Sequence, residues 1–365
     1  MQFFWRFLIT FFLAVVLSYL ATHLFRRLAL KANWVDSPTD KKIHTKPIAT
    51  MGGICLFIVY WAVYFFGIPI NNQIVGVAPL VISSFVILVV GIIDDKVELK
   101  PWQKLIGILI GANIYYFFTD IRLDHFTVAF LGRIEFYEIS YIIMMLWIVG
   151  ITNAMNLMDG LDGLATGTAI ISLTTMGLVS YLFTNSGNNA LVVLTFLLVA
   201  VLLGFLPHNF QPAKIFLGDT GALFIGFMIA TLSLNGLKQA TFVSLIIPIA
   251  ILGVPLTDTV SAIFRRLLNK KSISRKDWGH LHHRLLRLGF THRQAVLFIY
   301  AMGIIFSLIA LLFPISSLLG TIFLLVCLLL GIILFVESFN LLDSQRTPLR
   351  RLLRYLQRKR KTRKR

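Results

Sequence analysis

Carboxylates and lysines recur in this chain at one kind of position, next to the end of a long apolar run. Asp94 and Asp95 close one such run, and Lys96, Lys100 and Lys104 follow within ten residues. Adjacent carboxylates repel each other, which raises their pKa values unless a cation lies between them. The pair beside a lysine row therefore predicts a site that holds anionic oxygens and accepts a proton. A solvated loop after a helix is the alternative.

A second polar group has the spacing of a helix. Asn153, Asn156, Asp159 and Asp162 are each three residues apart, which places them on one slowly drifting stripe of a helix. The stripe is too polar to face lipid, and the glycines that follow both aspartates allow close approach of a ligand. We predict that it lines a cavity, with a hydrogen-bonded contact between helices as the alternative.

Asp219 lies in a third segment, HNFQPAKIFLGDTGALF, in which proline and glycine interrupt the helix, and Asp258 lies near the end of another run. An aspartate between glycines commonly marks only a turn. Its position on the same side as the other acids favours a shared site. Mg²⁺ takes one or two protein oxygens and completes its shell with water and substrate phosphates. Asn156 and Asp219 would suffice for Mg²⁺, with Mn²⁺ as an alternative ion.

The segment WGHLHHRLLRLGF contains His280, His282, His283 and Arg284. Clustered histidines can bind zinc. This segment has no cysteine, and its spacing differs from the HExxH pattern. We therefore predict a basic clamp on phosphate or sugar, and a solvated basic loop is the alternative.

Membrane-spanning helices must position these segments. The 365 residues are 57% hydrophobic and 14% charged, against roughly 25% charged in soluble domains. This composition excludes a soluble enzyme, a disordered chain and a disulfide-stapled secreted domain. Since a crossing helix needs about 20 apolar residues, the sequence predicts about eleven spans. They are 3–25, 48–68, 74–93, 103–119, 139–153, 164–183, 190–207, 221–236, 241–260, 294–313 and 318–338.

The basic residues predict the orientation. With the N-terminus outside, the inward-facing segments hold 30 of the 34 lysines and arginines, as the positive-inside rule requires. The predicted fold is an all-α, polytopic integral membrane protein with a cytoplasmic C-terminus. A single transmembrane domain covers 1–340, and a basic tail covers 341–365. The predicted cytoplasmic active-site loops are 26–47, 94–104, 153–163, 208–221 and 261–293. The positive charge fits anionic membrane lipid and a phosphorylated substrate, and no nucleic-acid partner is predicted.

Four segments, in this order on one predicted membrane face, resemble the polyprenyl-phosphate N-acetylhexosamine-1-phosphate transferase family. They are DDKVELKPWQK, NAMNLMDGLDGLA, NFQPAKIFLGDTGALF and HLHHRLLRLGFTHRQ. The muramoyl-pentapeptide branch usually has three consecutive histidines where this chain has HLHHR, which favours the N-acetylglucosamine (GlcNAc) branch. The resemblance implies transfer of GlcNAc-1-phosphate from UDP-GlcNAc to undecaprenyl phosphate, with release of UMP. The expected location is the cytoplasmic face of a bacterial plasma membrane, as the first membrane step of a cell-wall glycopolymer such as wall teichoic acid.

The resemblance also implies roles for single residues. The predicted catalytic residues are Asp94, Asp95, Asp159 and Lys104, with the first aspartate of the pair as a proposed base on the lipid phosphate. Asn156 and Asp219 match the family's Mg²⁺ ligands. The predicted substrate contacts are Lys46 near the diphosphate, Asp162 and Asn209 near uridine, and His280, His282, His283 and Arg284 over sugar and phosphate.

Several alternatives stay open at this point. The same chemistry could serve O-antigen or enterobacterial common antigen, or could use another UDP-sugar. An ion-coupled transporter is an alternative of a different class, although its charged groups would lie near the bilayer midplane. The sequence also leaves the assembly open, with a homodimer as one candidate. It does not decide between a one-step and a two-step reaction, nor which of Asp94 and Asp95 acts as base.

Overall fold

A computed structural model of the chain describes residues 2–37, 47–67, 77–123, 125–128, 132–135, 139–183, 189–235, 242–268, 279–339 and 341. Almost all of these residues are helical. The helices are α1 (Gln2–Lys31), α2 (Gly52–Gly67), α3 (Val77–Val97), α4 (Pro101–Phe118), α5 (Ile139–Met158), α6 (Leu164–Phe183), α7 (Asn189–Asn209), α8 (Gly218–Asn235), α9 (Phe242–Ile251), α10 (Gly253–Leu268), α11 (Leu281–Arg287), α12 (His292–Leu312) and α13 (Leu318–Ser338).

Seven helices in the described ranges are long and apolar enough to cross a membrane, namely α1, α3, α5, α6, α7, α12 and α13. The protein is therefore a helical, polytopic membrane protein. The α8 helix is not among the seven, because it carries polar residues at both ends. Its residues 220–234 are all buried, since α8 packs against α2, α3 and α5 at the centre of the bundle. Because other helices surround α8, it does not need an apolar face that contacts lipid.

Polar helix ends collect on one side of the bundle. The ends of α1, α3, α5 and α7 and the start of α8 border the same cavity. The start of α2 joins them, because the amides of Gly52 and Gly53 donate to the carbonyls of Phe216 and Leu217 at 3.2 and 3.0 Å. A Cβ atom on Gly53 would lie 2.2 Å from the Gly221 nitrogen, so α2 and α8 approach closely only because glycine has no side chain.

The run predicted as one helix over 241–260 is divided in the structure. α9 ends at Ile251, and α10 begins at Gly253 and continues to Leu268. Pro248 lies inside α9 and Pro255 inside the first turn of α10, and proline removes a backbone donor and crowds the preceding turn. The interruption is short, because the Leu252 amide still donates to the Pro248 carbonyl and the Leu256 amide donates to the Leu252 carbonyl, both at 2.9 Å. The single crossing expected over this run stays a prediction.

The prediction of an all-α fold missed two short antiparallel ribbons. β1 (Val35–Asp36) pairs with β2 (Ile48–Ala49), and β3 (His125–Val128) pairs with β4 (Gly132–Glu135). The first ribbon lies beside the cavity, and Ala49 also forms an isolated bridge with Ile215. Two-residue strands give too short an alternating pattern to be recognised in sequence.

Candidate active site

Lys104 lies at the centre of the polar cluster. Its Nζ forms an ion pair with the Asp94 carboxylate and lies 3.1 Å from Asp219 Oδ1. The same ammonium donates to Asn156 Oδ1 at 3.4 Å. The side chain is directed there by the first turn of α4, which Gln103 stabilises by accepting from the Lys100 amide at 2.9 Å. One cation thus joins α3, α5 and α8.

The adjacent aspartates have different partners. Asp94 is buried, and its Oδ1 accepts from the Leu99 amide at 2.9 Å. Asp95 instead faces the start of α8, where it accepts from the Asp219 amide at 2.8 Å. The amide and hydroxyl of Thr220 also donate to Asp95, at 3.1 and 2.5 Å. Asp95 therefore caps the positive end of α8 and fixes the residue that precedes Thr220.

A cavity of about 630 Å³ opens beside this cluster. Among the described residues that line it, seven are acidic and one, Lys96, is basic. The acidic residues are Asp36, Asp94, Asp95, Glu98, Asp159, Asp162 and Asp219. An anionic ligand would be repelled from such a cavity unless a cation entered with it. The volume lies within the usual range for small-molecule sites, roughly 300–1,000 Å³.

Three of the four residues of the predicted polar stripe line this cavity, whereas the fourth, Asn153, donates to the Val149 carbonyl at 2.8 Å. The prediction that all four share one helix was wrong, because α5 ends at Met158 and Asp159 and Asp162 follow it in a turn. Asn156, Asp159 and Asp162 all border it, as does Asn209. Burial raises the pKa of Asp159 well above its ordinary value, and the nearby carboxylates of Asp219, Asp95 and Asp162 raise it further. A carboxylate in that environment favours a bound cation, because the cation offsets both effects.

Two loops meet at the floor of the cavity. Asp162 Oδ2 accepts from the Ala213 amide at 3.0 Å. The buried Asn209 accepts from the Thr166 hydroxyl at 2.7 Å and donates to the Ile215 carbonyl at 3.1 Å. The Asp162 hydrogen bond joins the loop after α5 to the loop after α7, and the two Asn209 hydrogen bonds join α6 to that second loop. The predicted uridine contacts therefore also hold the backbone of the site together.

The histidine segment reaches the same region through one residue. His282 is buried, and a Cβ atom on Gly160 would lie 2.3 Å from its Nε2 atom. Gly160 lines the cavity, so His282 packs directly behind its wall. Burial, together with the nearby His283, lowers the pKa of His282 to about 3. His282 is therefore a neutral ring at physiological pH.

Arg284 is directed elsewhere in the structure. Its guanidinium donates to the Gly279 carbonyl at 2.8 Å and to the Phe339 carbonyl at 3.2 Å. These contacts hold the short α11 against the end of α13. The role of Arg284 and His283 as phosphate contacts stays a prediction, and Lys46 lies outside the described residues.

One wall of the cavity comes from the predicted active-site loop 26–47, in which the sequence singled out only Lys46. Residues 32–36, which follow α1, line the cavity together with Thr50 and Phe216. Lys96 Nζ lies 4.3 Å from the centre of the Trp34 ring, a cation–π contact that fixes the indole over the cavity. In the sequence, Trp34 lies between the basic end of α1 and Asp36, but no spacing connects it to the aspartates of α3 and α8.

The residues present fit a magnesium ion. Asn156 donates through Nδ2 to Asp219 Oδ1. Asn156 Oδ1 and Asp219 Oδ1 both lie near Lys104 Nζ, at 3.4 and 3.1 Å, so an amide oxygen and a carboxylate oxygen are available in the same place. The Asp219 side chain is 39% exposed and accessible from the cavity. Within the described residues, no group of three or more histidine, cysteine or acidic side chains could hold an ion by itself. An oxygen pair that needs water and phosphate to complete the shell suits Mg²⁺.

Comparison with known proteins gives concordant matches. Residues 77–237 match the model of glycosyl transferase family 4. The chain is 40% identical over 347 residues to a probable undecaprenyl-phosphate N-acetylglucosaminyl 1-phosphate transferase of Bacillus subtilis, covering 94% of this chain and 95% of that protein. It is 34% identical over 316 residues to a decaprenyl-phosphate N-acetylglucosaminephosphotransferase of Mycolicibacterium smegmatis, covering 79% and 77%. A phospho-N-acetylmuramoyl-pentapeptide-transferase of Staphylococcus aureus is 32% identical over 285 residues, covering 72% and 84%.

Proposed function

The chain belongs to glycosyl transferase family 4, and from this premise we propose that it transfers GlcNAc-1-phosphate from UDP-GlcNAc to undecaprenyl phosphate. The products are undecaprenyl-diphospho-GlcNAc and UMP. The resemblance inferred from the four sequence segments is confirmed at the level of the family. The observation that carries the proposal is the Lys104 cluster, in which one ammonium joins two carboxylates at the wall of an acidic cavity.

The reaction joins two anions. An oxygen of the lipid phosphate forms a bond to the β-phosphorus of the nucleotide sugar, and the bond from that phosphorus to the bridging oxygen breaks, so that UMP leaves. Asp219 and Asn156 would hold Mg²⁺, with Mn²⁺ as an alternative. The ion supplies positive charge that neutralises the diphosphate and stabilises the leaving group. Lys104 adds a fixed positive charge at the same place.

Asp94 acts mainly by position in this proposal. Its carboxylate is already paired with Lys104 and accepts from the Leu99 amide, so both of its oxygens have partners within the protein. The lipid phosphate has a second pKa near 6, so at neutral pH most of it is already ionised. Asp94 therefore sets the place of the Lys104 ammonium. Asp95, which is fully occupied with α8, sets the place of Asp219.

The membrane arrangement follows from the same cluster. We propose eleven crossings, formed by α1 to α8, the α9–α10 pair, α12 and α13, with the N-terminus outside and the C-terminus cytoplasmic. All the polar helix ends that border the cavity then face the cytoplasm of a bacterial plasma membrane. A soluble nucleotide sugar can reach them from water, while the lipid keeps its chain in the bilayer.

The test is UMP release by the purified protein in lipid nanodiscs containing undecaprenyl phosphate, with UDP-GlcNAc and Mg²⁺. Wild-type protein should release UMP and form a lipid-linked GlcNAc. Lys104→Gln should lower kcat about 100-fold or more, as the loss of one fixed electrostatic contact does elsewhere. Asp120→Asn is the matched control, because Asp120 is exposed beyond the opposite end of α4. No UMP release with any divalent ion would refute the transferase.

A panel of UDP-sugars in the same assay decides the sugar. We expect UDP-GlcNAc to be preferred over UDP-N-acetylmuramoyl-pentapeptide, since the described cavity has no basic cluster to receive an acidic peptide. An ion-coupled transporter fits the structure less well, because the acidic residues that border the cavity lie at helix ends or in the adjoining segments instead of in the middle of helices. A wall teichoic acid role and a homodimer stay predictions.

A further inference from the structure

A second buried carboxylate lies behind the histidine segment. Asp258 of α10 is 1% exposed. Its Oδ2 atom lies 2.9 Å from His280 Nδ1, and its Oδ1 accepts from the Leu281 amide at 2.9 Å. Each carboxylate oxygen thus has one partner, and both partners lie more than twenty residues away in sequence. A buried carboxylate is costly unless it is hydrogen-bonded in this way.

The contacts continue from Asp258 to the cavity. The rings of His280 and His282 are parallel within 5°, with centres 6.0 Å apart. His282 in turn lies against Gly160, where a Cβ atom would be 2.3 Å from its Nε2 atom. Gly160 is part of the cavity wall next to Asp159. Asp258 is therefore connected to the wall through two rings, without lining the cavity itself.

We propose that Asp258 is a positioning residue of the transfer reaction, which holds His280 and the start of α11 in the arrangement that the reaction requires. The inference rests on the proposed function. A carboxylate that accepts from Nδ1 keeps a proton on that nitrogen, and leaves Nε2 as the atom of His280 that can address a ligand. The second hydrogen bond, from the Leu281 amide, prevents the first turn of α11 from rotating away.

A purely structural role makes a different prediction from a positioning role. If Asp258 only ties α11 to α10, any residue that donates to it at position 280 will support activity. If Asp258 acts through the His280 ring, the ring must be present. Asparagine at position 280 separates these cases, because its Nδ2 donor replaces Nδ1 while nothing replaces Nε2.

The experiment measures kcat and KM for UDP-GlcNAc, and thermal unfolding in detergent, for wild type, D258N, D258E, H280N and the double variant D258N/H280N. We expect D258N and H280N each to lower kcat about 10- to 100-fold, the usual effect of losing a partner that orients a functional histidine. KM and the unfolding midpoint should stay near wild type. The double variant should be no slower than H280N, because residues that act through one another are not additive. D258E should recover part of the loss, and Asp120→Asn is the control for a lost carboxylate.

The outcomes separate the two levels of the proposal. Unchanged kcat in D258N, an active H280N, or losses that multiply in the double variant would each overturn the positioning role. If D258N fails to fold, H280N and D258E decide the question between them. An inactive wild type refutes the proposed function together with this inference, whereas an active wild type with unimpaired variants refutes the inference alone.

Discussion

Replacing either of the adjacent aspartates by asparagine should lower activity in both cases but lower stability to different extents. Asp95→Asn should destabilise the folded protein, because Asp95 accepts three hydrogen bonds from the first residues of α8. Asp94→Asn should cost less stability, since an asparagine oxygen can still accept from the Leu99 amide and Lys104 keeps Asp219 as its ionic partner. Activity should fall in both variants, as Asp94 pairs with Lys104 and Asp95 holds Asp219.

The size of the Asp95 effect follows from its contacts. Oδ2 receives the Thr220 amide and hydroxyl at 3.1 and 2.5 Å, and Oδ1 receives the Asp219 amide at 2.8 Å. An asparagine oxygen can replace one carboxylate oxygen, so at least one hydrogen bond is lost and the others lose their charge. Hydrogen bonds to charged groups contribute about 1.5–3 kcal/mol each. Because Asp95 is only half-buried, we expect a loss of about 2–3 kcal/mol in the free energy of unfolding.

Unfolding followed by tryptophan fluorescence in detergent tests this value, and UMP release is measured on the same preparations. Thr220→Val, which removes only the hydroxyl, should cost about 1 kcal/mol. Asp120→Asn should behave as wild type in both assays. A wild-type unfolding midpoint for Asp95→Asn, or an equal loss of stability in Asp94→Asn, would show that the division of roles is wrong.

Three further predictions follow from the site. Gly160→Ala should lower kcat by displacing His282, since overpacking of this kind costs about 1–3 kcal/mol. The control is Gly150→Ala, whose Cβ meets nothing within 4 Å and which should keep full activity. Equal rates for the two variants would refute the contact between Gly160 and His282. Asp219→Asn should raise the Mg²⁺ concentration for half-maximal UMP release about tenfold or more, and an unchanged Mg²⁺ titration would remove Asp219 from the ligands. The pKa of His282 is lowered from 6.5 to about 3, so the unfolded state binds a proton at a higher pH than the folded state does. The free energy of unfolding should therefore decrease as the pH drops below about 6.5, by about 2 kcal/mol at pH 5. His282→Gln should reduce this loss and the exposed His23→Gln should not, as unfolding measured from pH 8 to pH 5 will show.

Most of the helices could be predicted from the sequence, because a long apolar run has few other structures available to it in a membrane. The break between α9 and α10 was not predicted although Pro248 and Pro255 are present in the sequence, since hydropathy alone does not distinguish an interrupted helix from a continuous one. The first ribbon was missed because its two strands have two residues each. The loop 26–47 was predicted to belong to the site, but the part of Trp34 in the cavity wall was not.

The sequence alone determined which residue types lie at the polar helix ends, and it predicted that these ends share one side of the membrane. The charge distribution and the hydropathy pattern act over whole segments, so they can be recognised without a structure. Only the tertiary structure decided which partner each side chain has. Asp94 and Asp95 are neighbours in the chain, yet one points to Lys104 of α4 and the other to the start of α8. Successive residues of a helix face about 100° apart, and the helices packed on either side of α3 therefore give the two carboxylates different tasks.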